Sequence, residues 1–410
     1  MSHASTGGLP LPRGAAKVAD LIERGATIPN PWTVDIDDDV DVNLIGSNVT
    51  IHPGTRIRGA RTVISPGCVL GAEGPVTLEN CQLGPKVRLE AGYFSGAVFL
   101  EGASMGLGAH VRPGTLLEEH ASGAHTVGLK QTILFPYATL GSLINFCDAM
   151  LTGGTGPKDH SEVGSSYIHF NFTPDGDKTT ASLFGDVPRG VLVDQPPIFL
   201  GGQGGAVGPV RTGFGVVVGA GAVLRDDIDE DGVLVLPDQV AGLRRPNRRH
   251  RYRRLNLLLE KNLGYIASLV ALENWYTQVR SLFFAKQGFG AEVLAGALGV
   301  LESGRDERVK RVKALVAKID PEDDARRELV ENADALVAGA GSLSAPGPGE
   351  VVEYLAAQAE QGAGYLAAIG SLDESQKAAV TAWLSEVIDQ VCRRAAGAAP
   401  LLGLFTGSSD

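Results

Sequence analysis

The side chains best able to do chemistry in this 410-residue chain gather between Gly123 and Asp186. That stretch holds three histidines (His125, His160 and His169) and three lysines (Lys130, Lys158 and Lys178), with several Asn, Ser and Thr and few bulky aliphatics. Imidazole is the side chain suited to taking or giving a proton near neutral pH, and lysine supplies a compact positive charge for an anion. A histidine alone is most often a hydrogen-bonded structural residue. Polar, irregular sequence that interrupts a periodic scaffold is another matter, because it marks where function is to be sought.

The scaffold that must position these groups is visible on both sides. Ile45-Gly46 is followed by Ile51 and then Ile57, with His52-Pro53-Gly54 filling the turn between them. Ser65-Pro66-Gly67, Leu83-Gly84-Pro85, Met105-Gly106 and Arg112-Pro113-Gly114 continue the rhythm, and it returns more loosely from Ile198 to Val223. An aliphatic about every six residues, trailed by Gly or Pro-Gly, fits neither a 3.6-residue helix nor plain alternation. It is the pattern of a β-solenoid, with one aliphatic per short strand pointing inward and about eighteen residues per triangular coil. The expected organisation is an N-terminal extension with a short helix (1–35), a β-helix domain (36–237), a basic segment with a long helix (238–287) and a helical C-terminal region (288–410). Helices after a solenoid are expected to cap its exposed end or to make subunit contacts. The segment from Gly339 to Glu350 reads as a flexible linker, so deletion from Gly339 onward should leave the solenoid folded. Ser371 and Glu374 predict a capping box opening the last helix.

Composition removes several classes. A formal charge of −11 argues against a dedicated nucleic-acid binder, although seven arginines fall between Arg244 and Arg254. That run could hold the phosphates of a cofactor; the competing reading is a solvated helix start facing the acidic stretch Asp226 to Asp231. The four cysteines (Cys68, Cys81, Cys147 and Cys392) have no C-x-x-C spacing, so reduced thiols and no metal site are expected. No signal-peptide core and no uncharged membrane-length run is present, which predicts a cytoplasmic protein with no membrane partner.

From about Ala109 to Ile228 the chain resembles the left-handed β-helix, hexapeptide-repeat acyltransferases. Within that family it is most similar to the C-terminal acetyltransferase half of the bifunctional enzymes that make UDP-N-acetylglucosamine. There, an Arg in an R-P-G segment and a Lys about eighteen residues later hold the sugar phosphate, and the matching residues here are Arg112 and Lys130. The family's N-Y-D-G segment with its following Lys resembles Asn171 to Lys178. The resemblance implies a homotrimer with sites between subunits, a sugar phosphate or nucleotide sugar as ligand, and acetyl-CoA or another acyl-CoA as donor. Two departures stand out. Ser142 and Asn145 occupy the places of the family's catalytic His and of a nearby Tyr, and about one extra hexad lies around Gly153 to His160. The nucleotidyltransferase half is absent, so no pyrophosphorylase activity is expected.

Arg112 and Lys130, one coil apart, should stack at one corner. Unit charges about 4.8 Å apart repel by roughly 3 kcal/mol at an effective dielectric near 20, unless their tips splay into water or an anion lies between them. With serine at the family's histidine position, the candidate bases are His125, His160 and His169, the last expected to share a strand face with Asn171. Ser142, Asn145, Asn171 and Lys178 complete the candidate substrate-binding set. The glycines at 153–154 and 201–205 would admit a pyrophosphate or pantetheine arm, or are simply turns. Two functions follow: a coenzyme A-dependent sugar N-acyltransferase, or a non-catalytic sugar-nucleotide-binding sensor or scaffold.

Overall fold

The computed structural model of the chain describes residues 11–236, 252 and 254–406. After a short helix, α1 (Ala15–Glu23), parallel strands stack into a β-solenoid of about eleven turns. Face one carries ten two-residue strands, from Thr50–Ile51 to Leu234–Val235. Face two includes Ala109–Val111 and Ile168–Phe170, and face three includes Ala97–Phe99 and Ser182–Phe184. Two longer strands, Val127–Leu134 and Ile144–Leu151, run across both of those faces. Ile45, Ile51 and Ile57 are fully buried in the lumen, as the six-residue rhythm predicts.

In four successive coils the corner between faces two and three is turned through one left-handed residue. Gly96, Gly114, Gln131 and Asp148 occupy it with φ of 55°, 82°, 52° and 57°. Gly takes this region freely and Asp tolerates it, so a carboxylate can sit on the edge itself. The extra residues near Gly153 form an antiparallel hairpin, Gly154–Gly156 with Asp159–His160. A second excursion follows face three, where α2 (Val187–Gly190) is capped by Asp186.

The helices cover a side of the solenoid rather than its end. Val98, Leu116, Ile133, Met150 and Leu183 point outward from face three, and all are buried in one apolar cluster with α3 (Leu255–Trp275), separate from the lumen's core. A π-helical turn, Tyr276–Arg280, leads into α4 (Ser281–Phe284). Leu255–Phe284 is long and apolar enough to cross a membrane, but 72% of its apolar window is buried inside the protein. It is apolar all round because it packs on both sides.

The long helix α5 (Gly290–Val316) follows the stacking axis. Its Gly296 lies against Gln82, Gly304 near Gln131, and Arg308 reaches Asp148. Twelve residues at about 1.5 Å rise span about 18 Å, and the four coil steps from Gln82 through Val98, Leu116 and Ile133 to Met150 span about 19 Å at about 4.8 Å each. Helix rise and coil spacing therefore match, so residues three to four apart on α5 meet successive coils.

The remaining helices are α6 (Asp324–Glu331), α7 (Ala333–Gly339), α8 (Gly349–Glu360), α9 (Tyr365–Gly370) and α10 (Glu374–Ala396). The segment expected to be a flexible linker is pinned instead. Asn274 Nδ2 donates to the Leu343 carbonyl (2.7 Å), and Gln278 bonds the backbone of Ala345 and Gly347 (2.6 Å each). The capping box of α10 is made by Asp373 and Gln376, not Ser371 and Glu374, because Ser371 Oγ is spent on the Ala368 carbonyl. A buried ionic cluster joins helices to solenoid. Arg280 reaches Glu118 and Glu119 at the corner between faces three and one, Tyr276 Oη donates to Glu118 (2.6 Å), and the guanidinium lies 4.0 Å from the Tyr365 ring centroid. All four cysteines are free thiols.

Candidate functional site

Face two is left open by the helices, and the candidate residues spread across it in columns set by the strand register. Val111 pairs with Leu129, so the next residues, Arg112 and Lys130, stack on adjacent coils; Lys130 in turn pairs with Cys147. Arg112 leans across the middle coil, its Nη2 donating to Cys147 Sγ at 3.4 Å, and the thiol donates to Asn145 Oδ1 at 3.0 Å. Burial pushes the Cys147 thiol up, Asp148 adds to this, and Arg112 and Lys130 oppose it. All three charges thus act on one side chain. Among the described residues, neither Arg112 nor Lys130 has a carboxylate within ion-pair distance.

Asn145 pairs with Gly128, whose missing side chain leaves space beside it: a Cβ there would meet nothing nearer than 3.9 Å. Two coils before Asn145 in the same column, an exposed His110 stands edge-on to Tyr93 at 5.5 Å, and Tyr93 Oη donates to Glu79 (2.7 Å). His110 lies outside the polar stretch that drew attention in the sequence, and only the register places it here. At the other side of face two, the pairing of Val127 with Ile144 puts His125 directly over Ser142. Ser142 N–H donates to Ser165 Oγ of the next coil at 3.1 Å.

The three candidate bases do not converge. His125 is exposed at the corner between faces one and two, and His160 is on the hairpin at the corner between faces three and one, its Nδ1 3.1 Å from the Pro157 carbonyl. His169 points into the lumen. Its strand alternates Ile168 and Phe170 outward, and Asn171 leaves the strand, so the two do not share a face as expected. His169 Nε2 lies 2.7 Å from Ser182 Oγ, packed by Phe146 and Phe184. Burial pulls its imidazole down to about 4, with Asp148 and the Cys147 carbonyl opposing.

The loop after Phe170 carries Asn171 and Lys178. Asn171 Nδ2 donates to Asp148 Oδ2 (3.2 Å), and Thr180 Oγ1 donates to Asn171 Oδ1. Asp148 Oδ1 accepts from Arg308 Nη2 (2.6 Å), which reasoning from local spacing could not have found, since 160 residues separate the pair. Lys178 is exposed, with φ of 57°. The glycines of 201–205 press on neighbouring coils, Gly201 against Gly219 and Ala220 and Gly202 against Ser165, so coil packing accounts for them. Of the arginine run, all but Tyr252 and Arg254 lie outside the described residues; Arg254 pairs with Asp226 at 3.0 Å. No group of His, Cys, Asp and Glu suited to a metal occurs among the described residues.

Fold and site together define a class: a hexapeptide-type parallel β-solenoid with two stacked cations that, among the described residues, have no carboxylate partner. No family model matches the chain. Curated proteins similar to it include bifunctional GlmU proteins. That of Thermotoga petrophila is 28% identical over 213 residues, 52% of this chain and 42% of that protein. That of Kineococcus radiotolerans is 31% identical over 204 residues (50% and 37%), and that of Geotalea uraniireducens 29% over 224 (54% and 44%). The chain therefore spans well under half the length of the relatives it matches, and the β-solenoid is consistent with their C-terminal hexapeptide acetyltransferase half.

Proposed function

We propose that the chain binds an amino-sugar phosphate or nucleotide sugar at the edge between faces two and three and transfers an acyl group to it from coenzyme A. The observation that carries this is the Arg112–Lys130 column: two stacked cations, unpaired among the described residues, in a chain similar to GlmU proteins. Asn145 lies beside the column, and Asn171 and Lys178 come from the loop above it. In the reaction, the sugar amine attacks the thioester carbonyl carbon, a C–N bond forms, the C–S bond breaks, and the amine proton passes through a base to the departing thiolate, so that coenzyme A leaves as its thiol. His125 is the base proposed because it borders face two and stacks on Ser142, one coil from the position the resemblance assigns to that role, whereas His160 lies off face two, at the corner between faces three and one, and His169 is buried. Acetyl-CoA is the donor proposed. The open faces leave room for the homotrimer that the resemblance implies.

The serine at position 142 and the dispersal of the histidines favour a second reading, a sugar-nucleotide sensor or scaffold without catalysis. Release of coenzyme A thiol from acetyl-CoA with glucosamine 1-phosphate separates the two. Transfer that falls roughly 10²–10⁴-fold in His125→Ala supports the enzyme. Saturable sugar binding with no thiol release supports the sensor.

A further inference from the structure

Asp148 is a problem for any anion site here. Its backbone sits on the same edge as Arg112 and Lys130, directly after Cys147, which pairs with Lys130 and accepts from Arg112 at 3.4 Å. A carboxylate so placed would naturally pair with one of the two cations and compete with a phosphate for it. It pairs instead with a third cation, from the helical region. Arg308, on α5, donates Nη2 to Asp148 Oδ1 at 2.6 Å, with both side chains almost fully buried. The other carboxylate oxygen accepts from Asn171, so both are engaged.

Burying such a pair costs desolvation that its mutual attraction barely repays, so stability alone is a poor reason for it. Arg308 is moreover not fully used: its Nη1 has no partner among the described residues, and the residue lines a cavity of about 10 Å³ together with Gly114, Gln131 and Gly304. The loop that Asp148 helps to hold has further ties to the helical region. Lys318 Nζ donates to the Asp175 carbonyl, Asn262 Nδ2 to the Thr179 carbonyl (3.3 Å), and Tyr252 Oη to Asp177 (3.3 Å).

We infer that Arg308 is a positioning residue of the anion site: it sequesters Asp148, so that Arg112 and Lys130 stay free for a phosphate while Asn171 is held beside them. This rests on the anion-site reading above and adds that the helical region sets the site's charge in cis. The geometry makes a prediction of sign. Without Arg308, Asp148 becomes a competitor for the cations; without both charges, the competitor is gone.

The test is calorimetric titration of the full chain with glucosamine 1-phosphate, at a temperature where each variant is folded by circular dichroism. Arg308→Gln should raise Kd by about tenfold or more, and adding Asp148→Asn should return it to within about threefold of wild type. Arg308→Lys, which keeps the charge, should retain most of the affinity. A double variant that binds no better than Arg308→Gln overturns the inference, because a merely structural arginine would show no such rescue. Wild-type affinity in Arg308→Gln overturns it too. Where Arg308→Gln does not fold, Asp148→Asn alone decides: equal or tighter binding is expected, and weaker binding contradicts the inference. Arg112→Ala is run alongside. If it too binds as wild type, the anion-site reading itself has failed; if it weakens binding and Arg308→Gln does not, only the role of Arg308 has.

Discussion

Faces two and three are made in part from the same strands, since Val127–Leu134 and Ile144–Leu151 cross both, yet their outward columns are opposite in kind. On face three the column is Val98, Leu116, Ile133, Met150 and Leu183, buried under the helices. On face two it is Tyr93, His110, Gly128, Asn145 and Ile168, in register and open. Inward residues are mostly apolar on every face, His169 being an exception, so they say chiefly that the coil closes. The outward column is what differs: apolar where the chain's own helices lie, and largely polar or aromatic on face two, Ile168 apart.

The largest test of that contrast is truncation. Residues 339–410 include α8 to α10, and Val380, Leu384, Val387 and Val391 of α10 are buried in the cluster that covers face three. Deleting them should abolish soluble protein, contrary to the expectation from the linker-like composition of 339–350. A soluble, β-rich product would mean that face three tolerates water. At single residues, Leu116→Ala should cost about 2–5 kcal/mol in denaturant unfolding, as for other fully buried aliphatics.

Two buried titratable groups extend the contrast to pH. His169, in the lumen, is pulled down to about 4 by burial, below its ordinary value, so the stability tied to its neutral form is complete above about pH 6.5 and lost as pH falls through about 4. Glu118, at the seam with the helices, is raised by burial to about 7, with Arg280 opposing and Glu119 adding. Its contribution is complete below about pH 4.5 and lost as pH rises through about 7. Thermal melts should therefore show His169→Gln flattening the acid limb and Glu118→Gln the neutral one; unchanged limbs would contradict these placements. The smallest effect is expected on face two, where Asn145→Ala should change unfolding free energy by no more than about 0.5 kcal/mol. A cost like that of Leu116→Ala would remove the distinction between the faces.

Much of the solenoid was legible because its signals are local: Pro-Gly turns, and aliphatics such as Ile45, Ile51 and Ile57 that repeat with the coil. The stacking of Arg112 on Lys130 was legible for the same reason, as both lie in uninterrupted coils. His169 was not, because the hairpin at Gly154–His160 shifts the phase and the strand ends at Phe170, so counting from Asn171 misplaces the ring. Arg308 and Arg280 were not legible either. Each is paired across more than a hundred residues, on helices whose side-on docking depends on helix rise matching coil spacing, and no short-range pattern encodes that.

The central claim is that the Arg112–Lys130 column awaits a phosphate, and titration of wild type and Arg112→Ala with UDP-N-acetylglucosamine and with glucosamine 1-phosphate, paired with melts of the ligand-free proteins, tests it most directly. The expected result is saturable wild-type binding of at least one ligand, weakened by roughly 1.5–3 kcal/mol in Arg112→Ala, with the ligand-free variant as stable as wild type or slightly more so. Equal affinity in both proteins, or an Arg112→Ala variant that loses stability without losing affinity, would make the column a structural pair and contradict the claim.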